Sequence, residues 1–197
     1  SETEEREAVE TMTELMEYYK GIFTILSSCA SRQLEEVTFR RTVIPVQELL
    51  DAAGKYFKKL MKNRPERIEL EIEPMEAKVI GDVNQLRFLL ENLIDEALTV
   101  REDGVIRLQA RKDNEYIRFL FTDTRREKSV EELNQLFYPN LARMTSGEKG
   151  ELRGTEYLVC KQIIRDHDEF AGRRGCRINA EPAEGGGFTV YFTIPRR

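Results

Sequence analysis

The stretch from Gly81-Asp82 through Gln85-Leu86-Arg87-Phe88-Leu89-Leu90-Glu91-Asn92-Leu93-Ile94-Asp95-Glu96-Ala97-Leu98 constrains the fold most. Leu86, Leu89, Leu90, Leu93, Ala97 and Val100 recur at helical spacing, so one face must be buried. Asp82 stands where an N-cap belongs, because a short acidic side chain there accepts from the first free N–H groups. Asn92 and Glu96 are four apart and share a second face. A buried helix with a polar pair on one face either satisfies something inside the protein or presents that pair to a ligand.

The chain has 197 residues, 40% of them apolar, which is enough for one domain with a core and leaves room for an appendage. Charged residues make up 34% and the net charge is -5. Basic and acidic residues are interspersed, so no nucleic-acid footprint is expected. No apolar run approaches the roughly 20 residues of a bilayer span, and no signal peptide is expected. Ser1 is not a natural start; the expectation is a cytoplasmic fragment of something longer, which could be a membrane-linked sensor. Cys29, Cys160 and Cys176 are odd in number and widely spaced, which reads as buried reduced thiols. His167 is the only histidine, too isolated for a zinc site, and reads as a helix-end residue facing the dipole.

Residues 5–31 carry Ala8, Met12, Leu15, Tyr19, Ile22, Leu26 and Cys29 in alternating steps of four and three, the spacing of a helical seam. Met16, Phe23 and Ala30 widen it toward a bundle face. Such a stripe packs on the rest of the chain or on a second copy, and the second copy is the expectation. A second helix is expected from Pro45 to about Met61, ended by Asn63-Arg64-Pro65. Alternation predicts strands at 68–72, 78–80, 106–110 and 117–121, with a hairpin turn at Asp113-Asn114 and a turn at Asp103-Gly104. Short helices follow at 130–137 and 155–166, then strands at 176–179 and 188–194 around Gly185-Gly186-Gly187. Strand pairs separated by helices imply an α+β, two-layer sandwich with a mixed sheet.

In this order the motifs resemble the histidine-kinase-like ATPase superfamily, the Bergerat fold, over Val43 to Pro195. Val79-Ile80-Gly81-Asp82 with Leu86, Leu90, Asn92-Leu93 and Ala97 is similar to the sensor-kinase N box and its lead-in. Phe121-Thr122-Asp123-Thr124 resembles the strand end that carries the adenine-reading aspartate. Phe137-Tyr138-Pro139 resembles the phenylalanine box before the ATP lid. Gly154 with Lys161-Gln162-Ile163-Ile164 and His167 resembles the last glycine box and its helix. Glu184-Gly185-Gly186-Gly187-Phe188-Thr189-Val190 with Ile194-Pro195 resembles the terminal hairpin. The resemblance implies residues 1–42 as a dimerisation-type segment, the second helix of a hairpin, with its seam at Met12, Leu15, Tyr19, Ile22 and Leu26. It implies residues 43–197 as the ATPase domain, with a lid-like loop at 139–153. The phosphorylated histidine would lie on a helix upstream of Ser1. The nucleotide site, if retained, would use Asn92, Glu96, Asp123, Thr124, Gly154 and Thr155.

The departures point the other way. Glu96 stands where the family holds magnesium with asparagine, and Thr99 where it has lysine. Glutamate can bind a hard cation through oxygen, which keeps Glu96 as a metal candidate. Arg125 and Glu127 replace two glycines after Asp123, with Arg126 between them. Glu156 replaces a glycine where helix N–H groups would face phosphate. Arg125, Arg126 and Glu156 are therefore candidates for occluding the site. Each functional role has a plain counterpart. Asp123 could be satisfied by the neighbouring arginines, Asn92 by nearby backbone, and Glu96 by Arg125, Arg126 or Arg153, while Gly154 could be an ordinary cap and Lys161 a solvated helix residue.

Two functions are expected. One is a signalling module with a degenerate nucleotide site, no bound cofactor by default, relaying by packing and homodimerisation through the N-terminal helix. The other is an active histidine kinase domain that binds ATP and Mg2+ and phosphorylates a histidine on the upstream helix. A sensor domain and a response regulator are the implied partners; nucleic acid is not.

Overall fold

The computed structural model describes residues 1–35, 39–138 and 155–197, with backbone only at 18 and 21–35. Helix α1 spans Glu2–Glu35, with Glu2, Glu4 and Glu5 in its first turn, at the positive end of the helix. Met12, Leu15 and Tyr19 are exposed in the single chain. The side chains of Ile22 and Leu26, the other seam residues, lie outside the described set. So do the 139–153 loop, Pro139, Arg153 and Gly154.

The rest is an α+β sandwich. Strand β1 (Thr42–Pro45) pairs antiparallel with β3 (Lys78–Gly81) as a two-stranded ribbon. The main sheet has the order β2-β4-β5-β7-β6, built from β2 (Ile68–Ile72), β4 (Gly104–Asp113), β5 (Tyr116–Asp123), β6 (Ile178–Pro182) and β7 (Phe188–Pro195). Among the described residues, β2 and β4 run parallel and the other pairs of this sheet antiparallel, so the sheet is mixed. The helices are α2 (Val46–Met61), α3 (Val83–Ala97), the single-turn α4 (Val130–Asn134) and α5 (Glu156–Phe170). Helix α3 packs against both α2 and α5.

Alternation sets which sheet face is covered. In β5, Ile117, Phe119, Phe121 and Asp123 are buried, and the residues between them are partly exposed. Phe119 faces Phe192 across β5 and β7, with the rings stacked at 4.8 Å between centroids. The buried stripe of α3 (Leu86, Leu89, Leu90, Leu93 and Ala97) lies in the same core. At that helix's start, the Asp82 carboxylate Oδ1 accepts from the backbone N–H of Asn84 and Gln85, each at 3.1 Å. The N-cap read from the sequence is formed.

Some expectations needed correction. The segment before α2 carries no strand signal in the sequence, yet Thr42–Pro45 pairs with β3 before Pro45 caps α2; the PPII-like φ of proline suits both roles. Helix α3 stops at Ala97, leaving Val100 beyond its end. The penultimate strand is Ile178–Pro182, shifted toward its hairpin.

Candidate nucleotide site

Asp123 ends β5 on the buried face, between Ile106 of β4 and Phe188 of β7. Its carboxylate is held by the arginine two residues on. Arg125 Nε donates to Oδ1 and Nη2 to Oδ2, each at 3.0 Å. The Arg125 backbone N–H also donates to Oδ1. Its remaining guanidinium hydrogens go to the last turn of α3 and the chain beyond it. Nη2 reaches the Ala97 carbonyl at 2.6 Å, and Nη1 reaches those of Val100 and Glu102 at 2.9 and 3.0 Å. All five guanidinium donors are satisfied, in the planar fork that arginine presents. Both side chains are 1% exposed.

The path of the arginine stem explains a glycine. Gly104 has φ +145, and a Cβ built there would lie 2.5 Å from Arg125 Cγ. Gly187 is fixed differently: with φ +83, its added Cβ would sit 2.1 Å from the Asp123 carbonyl oxygen, so the last hairpin lies directly against the end of β5. Thr124 continues the ladder, its N–H and hydroxyl both donating to the Val105 carbonyl.

Arg126 Nε stands 3.6 Å from Asp123 Oδ2, and its guanidinium carbon lies 5.8 Å from the Phe188 ring centroid. Asn92 is buried and donates its amide to the Phe88 carbonyl one turn earlier, at 2.7 Å. Glu96 lies one turn after it on the same face, partly exposed. Glu156 opens α5, with one carboxylate oxygen buried. Thr155 is the N-cap residue of that helix and makes no side-chain cap bond. Among the described residues, no group of three or more His, Cys, Asp or Glu is arranged to hold a metal ion, and no helix is long and apolar enough to cross a membrane.

Two residues behave unlike their sequence reading. Lys161, expected in solvent, donates to the Phe137 carbonyl and lies 4.2 Å from the Tyr138 ring centroid; burial lowers its pKa. His167, expected at a helix end facing the dipole, is buried and neutral. Its Nδ1 lies 2.8 Å from the Ile163 carbonyl and its Nε2 accepts from the Asp82 backbone N–H at 3.1 Å. Donation to one and acceptance from the other fix the tautomer. Burial depresses its pKa to about 4, so no positive charge is left to meet the dipole. Cys160 and Cys176 are free and buried, and burial pushes the Cys176 thiol up to about 12.

Residues 81–197 match the family described as histidine kinase-, DNA gyrase B-, and HSP90-like ATPase. The chain belongs to that family. Comparison by sequence with curated proteins gives no match. Solved structures show the same fold. The catalytic domain of the histidine kinase ThkA superposes with TM-score 0.62 at 21% identity, over 80% of this chain and 97% of that one. The ATP-binding domain of PrrB from Mycobacterium tuberculosis gives 0.58 at 16%, over 80% and 98%. ThkA in complex with the response regulator protein TrrA gives 0.62 at 19%, over 91% of this chain and 51% of that one.

Proposed function

We propose that this chain is the ATPase-like part of a sensor histidine kinase homologue whose nucleotide site is filled by its own side chains. It relays a signal by packing and by dimerisation through α1, without transferring phosphate. The observation that carries this reading is the fork of Arg125 on Asp123. An adenine amino group needs an open lone pair on that carboxylate. Here Oδ1 receives two N–H groups, and Oδ2 receives one while facing Arg126. Exchanging this buried pair for a neutral base would leave an arginine uncompensated, which is costly. Glu96 and Glu156 add negative charge toward a triphosphate. These side chains argue against ATP and Mg2+ as ligands of this site.

The active reading keeps a foothold in Asn92, Asp123 and the family membership itself. It requires Arg125 to leave its seat and Glu96 to become a magnesium ligand. The response regulator bound to ThkA supports a response regulator as partner under either reading. The exposed Met12, Leu15 and Tyr19 support α1 as the homodimer seam.

Thermal unfolding with millimolar Mg-ATP separates the two. Ligand at 100 times its Kd adds about 2.7 kcal/mol, so an active site raises Tm, whereas the filled site leaves it unchanged. Combining Arg125→Gly, Glu96→Asn and Glu156→Gly restores a nucleotide-dependent rise. A clear Tm rise in the native chain overturns the proposal.

A further inference from the structure

The contacts around Asp82 extend past the α3 cap to the segment that follows α1. Arg40 donates its backbone N–H to Asp82 Oδ2 at 3.0 Å, while Oδ1 caps α3. The Asp82 N–H donates to His167 Nε2. The His167 ring is in turn met edge-on by Phe39 at 4.8 Å between centroids, and Phe39 also lies 5.8 Å from Phe170. Gly81 makes the approach to His167 feasible: a Cβ there would lie 2.8 Å from both Cδ2 and Nε2 of the imidazole.

We infer that His167 and Asp82 form a latch that reads whether the segment after α1 is seated and passes this to α3 and α5. With Phe39 on the imidazole and Arg40 on the carboxylate, Asp82 holds one donor from the linker and two from α3, and its own N–H is held by α5. Withdrawing the linker removes one donor from Oδ2 and one wall from the imidazole. The altered cap then lies at the head of the helix that carries Asn92 and Glu96, about 15 and about 21 Å further along. The altered ring lies on the helix that begins with Glu156. The coupling goes beyond the proposed function because it holds whether or not nucleotide binds, and its warrant is a shared set of contacts rather than spatial order alone.

The test uses the full chain and amide hydrogen exchange. Phe39→Ala, in the linker, speeds exchange at Asn84 and Gln85, some 45 residues away in sequence. In a His167→Ala background the effect of Phe39→Ala at those amides shrinks to what Arg40 carries directly to the Asp82 carboxylate. Additive effects in the two backgrounds, or no effect of Phe39→Ala at Asn84 and Gln85, overturn the latch. If His167→Ala does not fold, the imidazole itself is the reporter. In the native chain its Nε2 carries the nitrogen resonance of an unprotonated acceptor, and Phe39→Ala shifts it together with the Asp82 amide. An unmoved pair overturns the proposal.

Discussion

Arg125 and Asp123 meet edge to edge, with Nε and Nη2 each 3.0 Å from a different carboxylate oxygen, and neither side chain is more than 1% exposed. Truncating either partner leaves the other charge buried. Arg125→Ala and Asp123→Ala should each lower the unfolding free energy by about 3–5 kcal/mol, whereas the two alanines together should cost less than the sum of the single changes. Urea unfolding of the four proteins measures this. Additive losses would mean that the pair is not coupled.

Gly104 should resist replacement for two separable reasons. Alanine there must adopt φ +145 and must displace the Arg125 stem. Gly104→Ala should cost more than about 1 kcal/mol. Adding Arg125→Gly should relieve the steric part, so the alanine costs less in that background. An equal cost in both backgrounds would assign the whole effect to the dihedral.

His167 gives stability a pH dependence of known sign. Its folded pKa is about 4 against an ordinary 6.5, lowered by burial and opposed by the Ile163 carbonyl and the Asp82 carboxylate. A base with a depressed folded pKa contributes fully above its unfolded value, and the contribution is lost as pH falls toward the folded one. Between pH 6.5 and about 4, the native chain should lose about 3 kcal/mol through this group. Carboxylates titrate in the same window, so the readout is the difference between the native chain and His167→Gln in urea unfolding. That difference should shrink as pH falls. A flat difference would show that the imidazole does not carry the effect.

If α1 carries the proposed homodimer seam, through the exposed Met12, Leu15 and Tyr19, Leu15→Glu halves the mass seen in light scattering. The domain's unfolding should be unchanged, since Leu15 lies outside the core. A mass that does not respond to this substitution rules α1 out as the seam.

The helix that anchors the fold was legible because its signals are local. Asp82 precedes an apolar stripe, and the cap forms where that pattern placed it. Alternation gave the register face of β4 and β5 for the same reason. What was not legible depends on contacts between distant residues. Gly104 reads as half of an Asp-Gly turn until Arg125 is seen to pass over it. His167 reads as a helix-end cation until Asp82, 85 positions earlier, proves to donate to it. Strand β1 escaped because four residues are too few for a period, and its proline resembles a helix start. That an arginine answers Asp123 is legible from Arg125 and Arg126 standing two and three positions after it; the three backbone carbonyls that complete the arrangement carry no sequence signal.

Strand β7 lies between β5 and β6 although it comes late in the chain. Until residues 188–195 have been synthesised, the buried hydrogen-bonding edge of β5 has no neighbour, and an unpaired apolar edge invites pairing with other molecules. A nascent chain stalled before Phe188 should therefore expose that edge to intermolecular strand pairing.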